Sequence, residues 1–147
     1  RIDEVEAVRH ALRTVLDSGA AAGAVVCGDY NLVGSRVPLE RLLLKTDVDG
    51  GDLAVAEALQ IDGRSNATWA DAKQPFTAGR LDYLVYSDAT LRETGGFVFD
   101  AADLGADRLA ALSLSASETA DASDHLPLVV DLAWAAPDSS GAGKAQP

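Results

Sequence analysis

The sequence has no methionine, one cysteine, two histidines and no long apolar run, and each shortage narrows what the chain can be. With no methionine, and with Arg1 already inside a helical pattern, a processed chain or a piece of a longer one is expected. A leader peptide is then neither visible nor excluded. The single Cys27 has no mate for an internal disulfide, and one thiol with two imidazoles cannot build a thiolate zinc site. Lying in an apolar run, Cys27 is expected to be a small core residue rather than a nucleophile. No stretch approaches the roughly 20 apolar residues that span a bilayer. Basic residues are also scarce: 12 Lys and Arg against 23 Asp and Glu leave a formal charge of −11. That balance argues against a sequence-independent grip on a nucleic acid backbone and suits a site that recruits a divalent cation. What remains is ordinary for a soluble globular domain, 147 residues with 48% hydrophobic and 24% charged. Such a chain is long enough for one modest domain with a core.

Apolar Ile2, Val5, Val8, Leu12, Val15 and Leu16 fall at helical spacing. Asp3, Glu4, Glu6, Arg9 and Arg13 are expected on the other side, and Gly19 ends the helix. The run AGAVVCG, 22–28, shows no alternation and reads as a strand buried on both faces. SRVPLERLLLK, 35–45, opens a short helix capped by Ser35, and GGDLAVAEALQ, 50–60, is a further helical candidate. RLDYLVYSD, 80–88, is rich in β-branched and aromatic residues and predicts a strand. GGFVFD predicts a third strand, DRLAALSLS a helical turn and HLPLVVDLAW a last strand. From Ala135 the composition turns small and polar, so residues 1–134 are expected to form the domain and 135–147 a disordered tail. Helix, buried strand, helices and three closely connected strands make a mixed α/β or α+β layered pattern.

The chemistry concentrates in three stretches. GDYN places Asp29 and Asn31 just past the first strand, RLDY places Asp82 in the next, and SDHLP places Asp124 and His125 before the last. Strand ends and the loops beyond them are where a rigid sheet presents groups to a ligand. A carboxylate at Asp29 can hold a hard cation or orient water, and Asp124 is a second candidate metal ligand. The Asn31 amide can stabilise charge developing on a phosphoryl oxygen. His125 can donate a proton to a phosphate oxygen while Asp82 binds its other ring nitrogen. Each residue also has a plain structural use. Asp29 and Asn31 can serve turn chemistry, Asp124 a cap, His125 packing, and Asp82 an ion pair with Arg80.

Taken in this order, GDYN, GRLDYLVYS and SDHLPLVVDL resemble the C-terminal half of the endonuclease/exonuclease/phosphatase superfamily, from the first helix to about Leu132. That superfamily spans abasic-site endonucleases, secreted DNases, inositol polyphosphate phosphatases and bacterial sphingomyelinases. The resemblance implies half of a four-layer α/β/β/α sandwich of the DNase I-like type. It implies a metal-dependent phosphoester hydrolase in which Asp29 activates water, Asn31 steadies the transition state and His125 contacts phosphate with Asp82 behind it. Asp124, with Asp29, would help hold the metal, usually Mg²⁺, with Mn²⁺ or Ca²⁺ as other choices. Tyr30 stands where the family more often has Phe. The Asn and metal-binding Glu of the family's first half have no counterpart in this chain, so one inner sheet face is expected to lie uncovered unless an N-terminal half or companion chain completes it. Arg80 and Trp69 are the candidate substrate-binding residues, with Arg36, Arg64, Lys73 and Phe76 also near the motifs. Trp69 serves equally well as a core residue. A non-catalytic module that keeps the scaffold for binding, or a proteolytic fragment that retains it without activity, is the alternative.

Overall fold

A computed structural model of the chain describes residues 2–71 and 73–136. Helix α1, Ile2–Asp17, is followed by β1, Val25–Asp29, and α2, Val37–Leu43. Two short strands, β2 (Ala54–Val55) and β3 (Leu59–Gln60), precede β4, Asp82–Tyr86, and β5, Leu91–Val98. A 3-10 turn at Ala101–Asp103, α3 at Ala106–Leu112 and α4 at Glu118–Ala122 lead to β6, Leu128–Trp134. The strands form two three-stranded sheets, β1-β4-β2, antiparallel throughout, and β3-β5-β6, in which β3 runs parallel to β5. Among the described residues no helix is long and apolar enough to cross a membrane.

Strand alternation decides which side of the first sheet is filled. Tyr83 and Val85 of β4 join Leu39 and Leu42 of α2 and Leu53 in a buried cluster, with Val26 of β1 and Val5 and Leu12 of α1 packed against it. Each such side chain withdrawn from water contributes roughly 1.5–3 kcal/mol before entropy is counted. Arg9 and Arg13 do not simply face solvent. Arg9 Nη2 donates to the carbonyl of Leu44 at 2.9 Å, and Arg13 Nη1 donates to that of Lys45 at 3.2 Å, so they clasp α1 onto the loop after α2.

The opposite side of this sheet is open, which corrects the expectation of a doubly buried strand. Val25, Cys27 and Asp29 project there, and Cys27 is exposed rather than core. The reason is that α1 and α2 cover one face only. A second correction concerns residues 50–60, which form β2 and β3 instead of a helix. Pairing of Ala54 and Val55 with Tyr86 and Val85 satisfies their backbone at the edge of β4, and that tertiary context overrides the helical preference of Ala, Leu and Glu. Ser35 sits one residue before the actual N-cap, Arg36, yet its Oγ still accepts the Val37 N–H at 3.3 Å. The third predicted strand is longer than expected, beginning at Leu91, while the last begins only at Leu128, beyond Pro127. Ala135 and Ala136 are described; the rest of the predicted tail, 137–147, lies outside the described residues.

Candidate active site

The first strand ends in a turn built from its own side chains. Gly28 has φ 146°, a conformation reserved for glycine, one residue before Asp29 closes the strand. The Asp29 Oδ1 then accepts the Asn31 N–H at 2.7 Å, and Asn31 takes the left-handed conformation, φ 47°. The turn reading of these two residues is therefore correct as local structure. It also points both side chains into a cleft of about 630 Å³ that His125, Arg80, Trp69 and Phe76 help to line.

Tyr30, between them, faces the other way. Its ring lies 5.4 Å from that of Tyr83, its hydroxyl donates to the Val26 carbonyl, and burial pushes its pKa up to about 12. It packs the core and stays protonated.

Asp82 is the first residue of β4 and the register partner of Asp29, so both carboxylates belong to the same open sheet face. Its Oδ2 lies 2.8 Å from Nδ1 of His125, 43 positions along the chain. An ionised carboxylate there takes Nδ1–H, which fixes the tautomer and leaves Nε2 for a ligand. The hydrogen bond that His125 donates to Asp82, helped by the charges of Asp82, Asp29 and Asp124, raises the His125 pKa against an opposing effect of partial burial. Asp82 does not pair with Arg80. That guanidinium donates to the Ala56 carbonyl at 2.7 Å and lies 4.5 Å over the Tyr83 ring, while still lining the cleft.

Asp124 is exposed and held by a neighbour rather than pointing freely. Its Oδ2 accepts the Trp69 indole N–H at 2.9 Å, and this bond is the main cause of its lowered pKa. Trp69 is half-buried, lines the cleft with one part and binds Asp124 with another. Of the four basic residues near the motifs, Arg80 lines the cleft, and Arg36, Arg64 and Lys73 do not. Among the described residues no three His, Cys, Asp or Glu side chains gather as a ready metal cage.

Sequence reasoning missed the residues that bind these parts together. Thr68 is fully buried, and its Oγ1 accepts the N–H groups of Leu81 and Asp82 at 3.0 and 2.9 Å. A single threonine in a loop carries no sequence signal of that kind. The exposed Val33 and Phe76, 74% and 69% accessible, are further cleft residues, and only the second was singled out.

The fold and the cleft define a mixed α/β protein whose conspicuous polar groups are an aspartate–histidine pair and an Asp-x-Asn turn on one sheet face. Residues 3–125 match the family model described as Endonuclease/Exonuclease/phosphatase family, and the chain belongs to that family. The family is one of hydrolases of the phosphoesterase and nuclease kind, whose members commonly use divalent metals. Among curated proteins and among solved structures, none matches this chain.

Proposed function

We propose that the chain carries the reactive groups of a divalent-metal-dependent phosphoester hydrolase of phosphodiesterase or nuclease type, in which water attacks phosphorus in line with the leaving oxygen. The observation that supports this best is the 2.8 Å bond from Asp82, behind the cleft wall, to His125, which lines the cleft together with Asp29 and Asn31. With Oδ1 engaged by the Asn31 N–H, the Asp29 carboxylate offers Oδ2 to orient and deprotonate the attacking water. The Asn31 side-chain amide donates to a phosphoryl oxygen as charge builds there. His125, held by Asp82, presents Nε2 to the phosphoryl group and returns a proton to the leaving oxygen. Among the described residues of the cleft wall Arg80 is the permanent cation, which favours an anionic substrate.

A divalent cation suits the donor chemistry only in part. Asp29 and Asp124 offer hard oxygen ligands, and Mg²⁺ accepts one or two carboxylates with water and substrate phosphate in its other positions. Mn²⁺ and Ca²⁺ belong to the same oxygen-seeking class. The described residues do not enclose such an ion by themselves, so its other positions would fall to water, substrate phosphate or donors from a further layer. When bound, the cation offsets negative charge on the phosphoryl group. The open sheet face fits the same reading: a further layer, such as an N-terminal half, would complete a four-layer DNase I-like sandwich and supply those donors. The apolar rim of Val33, Phe76 and Trp69 suits a phosphoester carrying a nucleobase or an acyl chain.

The test is hydrolysis of bis(p-nitrophenyl) phosphate by the whole protein with Mg²⁺, then with EDTA, then with Mg²⁺ restored. Turnover that EDTA abolishes and Mg²⁺ restores is expected. Undiminished turnover in EDTA would remove the metal from the proposal, and absence of turnover on diesters and monoesters alike would remove the hydrolase.

A further inference from the structure

The Asp82–His125 pair joins two segments that belong to different sheets. Asp82 opens β4 of the first sheet, and His125 precedes β6 of the second. Neither strand hydrogen-bonds the other in either ladder, so something else must set the distance between the carboxylate and the ring.

That link is the segment 68–70, and Thr68 is the residue in it that bonds both sides. Thr68 has no exposed surface. Its backbone N–H donates to Gly79 at 3.0 Å, and its carbonyl accepts the N–H of Leu126, next to His125, at 2.7 Å. Its hydroxyl oxygen accepts from both Leu81 and Asp82, using its two lone pairs. Trp69 continues the link, forming single β-bridges with both Gly79 and His125. Thus the backbone of Asp82 hangs on the Thr68 side chain and the backbone beside His125 hangs on the Thr68 main chain.

The side-chain half of this link is the part that residue type controls. Any residue can supply the carbonyl for Leu126, but only serine or threonine places a hydroxyl oxygen under the two adjacent N–H groups. Valine has the same shape and no acceptor. It would leave both part-buried donors without their partner, and the start of β4 would shift to find one.

We propose that Thr68 is the positioning residue of the Asp82–His125 pair, holding the carboxylate at bonding distance from Nδ1 through its Oγ1. It touches no substrate. It acts by keeping the imidazole in one tautomer and one orientation, as an outer partner does behind a reacting group. The inference rests on the hydrolase reading for its effect on rate, and on geometry alone for its effect on the histidine.

The experiment compares Thr68→Val and Thr68→Ser in the whole protein. In the valine variant kcat is expected to fall about 10- to 100-fold with KM changed little, and serine is expected to restore it. NMR supplies a readout independent of turnover, since the Nδ1 proton of His125 gives a hydrogen-bonded resonance in wild type and Thr68→Ser that is lost in Thr68→Val. Wild-type kcat and an unchanged Nδ1 resonance in Thr68→Val would overturn the proposal. So would a serine variant as impaired as the valine one. If no variant turns over and wild type is equally inert, the hydrolase reading fails while the resonance still decides the role of Thr68. Should Thr68→Val not fold, amide exchange in the wild type decides instead. Leu81 and Asp82 are expected to be protected like the centre of β4, and rapid exchange at both would refute the link.

Discussion

At the scale of single residues, the side chain that carries most is His125, and its protonation sets an expected pH profile. Asp82 raises its pKa, so the imidazolium persists above the usual value near 6.5. The pair therefore contributes stability that is complete below the unfolded value and is lost as pH rises through the raised, folded one. Because the protonated ring is the form that serves the leaving oxygen, the alkaline limb of kcat reports the same titration. Asp82→Asn removes the charge that favours imidazolium, so this limb is expected to move to lower pH with a rate loss of about 10- to 100-fold. A pH–rate profile over the range 5 to 9 checks it, and a limb that stays in place contradicts the pairing. Asp29, Asn31, Asp82 and His125 were all legible as candidates because each is an unusual residue for the edge of an apolar strand. Arg80 was legible as basic, but its commitment to the Ala56 carbonyl and the Tyr83 ring was not, since neither partner is near it in sequence. Cys27 was misjudged because sequence shows that a run is apolar without showing whether a layer covers it.

At the scale of elements, α1, β1 and β4 could be read from periodicity and composition, and the structure places them within a few residues of expectation. Residues 50–60 could not. Their Ala, Leu and Glu favour a helix locally, and only edges contributed from much further along the chain, that of β4 for β2 and that of β5 for β3, make them strands. The strand-to-turn junction at Gly28 is the element on which the site depends most. Its φ of 146° is open to glycine and costly for any other residue. A Cβ at this position meets no atom within 4 Å, so the penalty is conformational rather than steric. Gly28→Ala is expected to cost about 1–3 kcal/mol, lowering Tm by several degrees, and to swing Asp29 from its place in the cleft. Thermal unfolding followed by circular dichroism, with kcat measured beside it, is the check. An alanine variant with the Tm and kcat of the wild type would show that the turn does not need this conformation.

At the scale of the whole molecule, two sheet surfaces expose apolar residues among the described ones. Val25 and Cys27 face outward from the sheet that α1 and α2 cover on the other side. In the second sheet, Leu59, Phe97 and Val129 stand side by side across three strands and are 50%, 40% and 38% exposed. A contiguous apolar row of this kind ordinarily meets another surface. The three motifs could be read one by one from the residues, whereas their convergence could be expected only through the family resemblance. It depends on β1 and β4 pairing in one register and on the Thr68–Trp69 segment bridging two sheets, both of which are long-range facts. We propose that these motifs act as one reactive centre. The decisive measurement is the kcat of Asp29→Ala and His125→Ala on bis(p-nitrophenyl) phosphate, in protein shown to be folded. Each substitution is expected to lower kcat by about 10²–10⁴-fold, the usual contribution of a positioned acid or base. Turnover within a few-fold of wild type in either variant would show that no such centre exists.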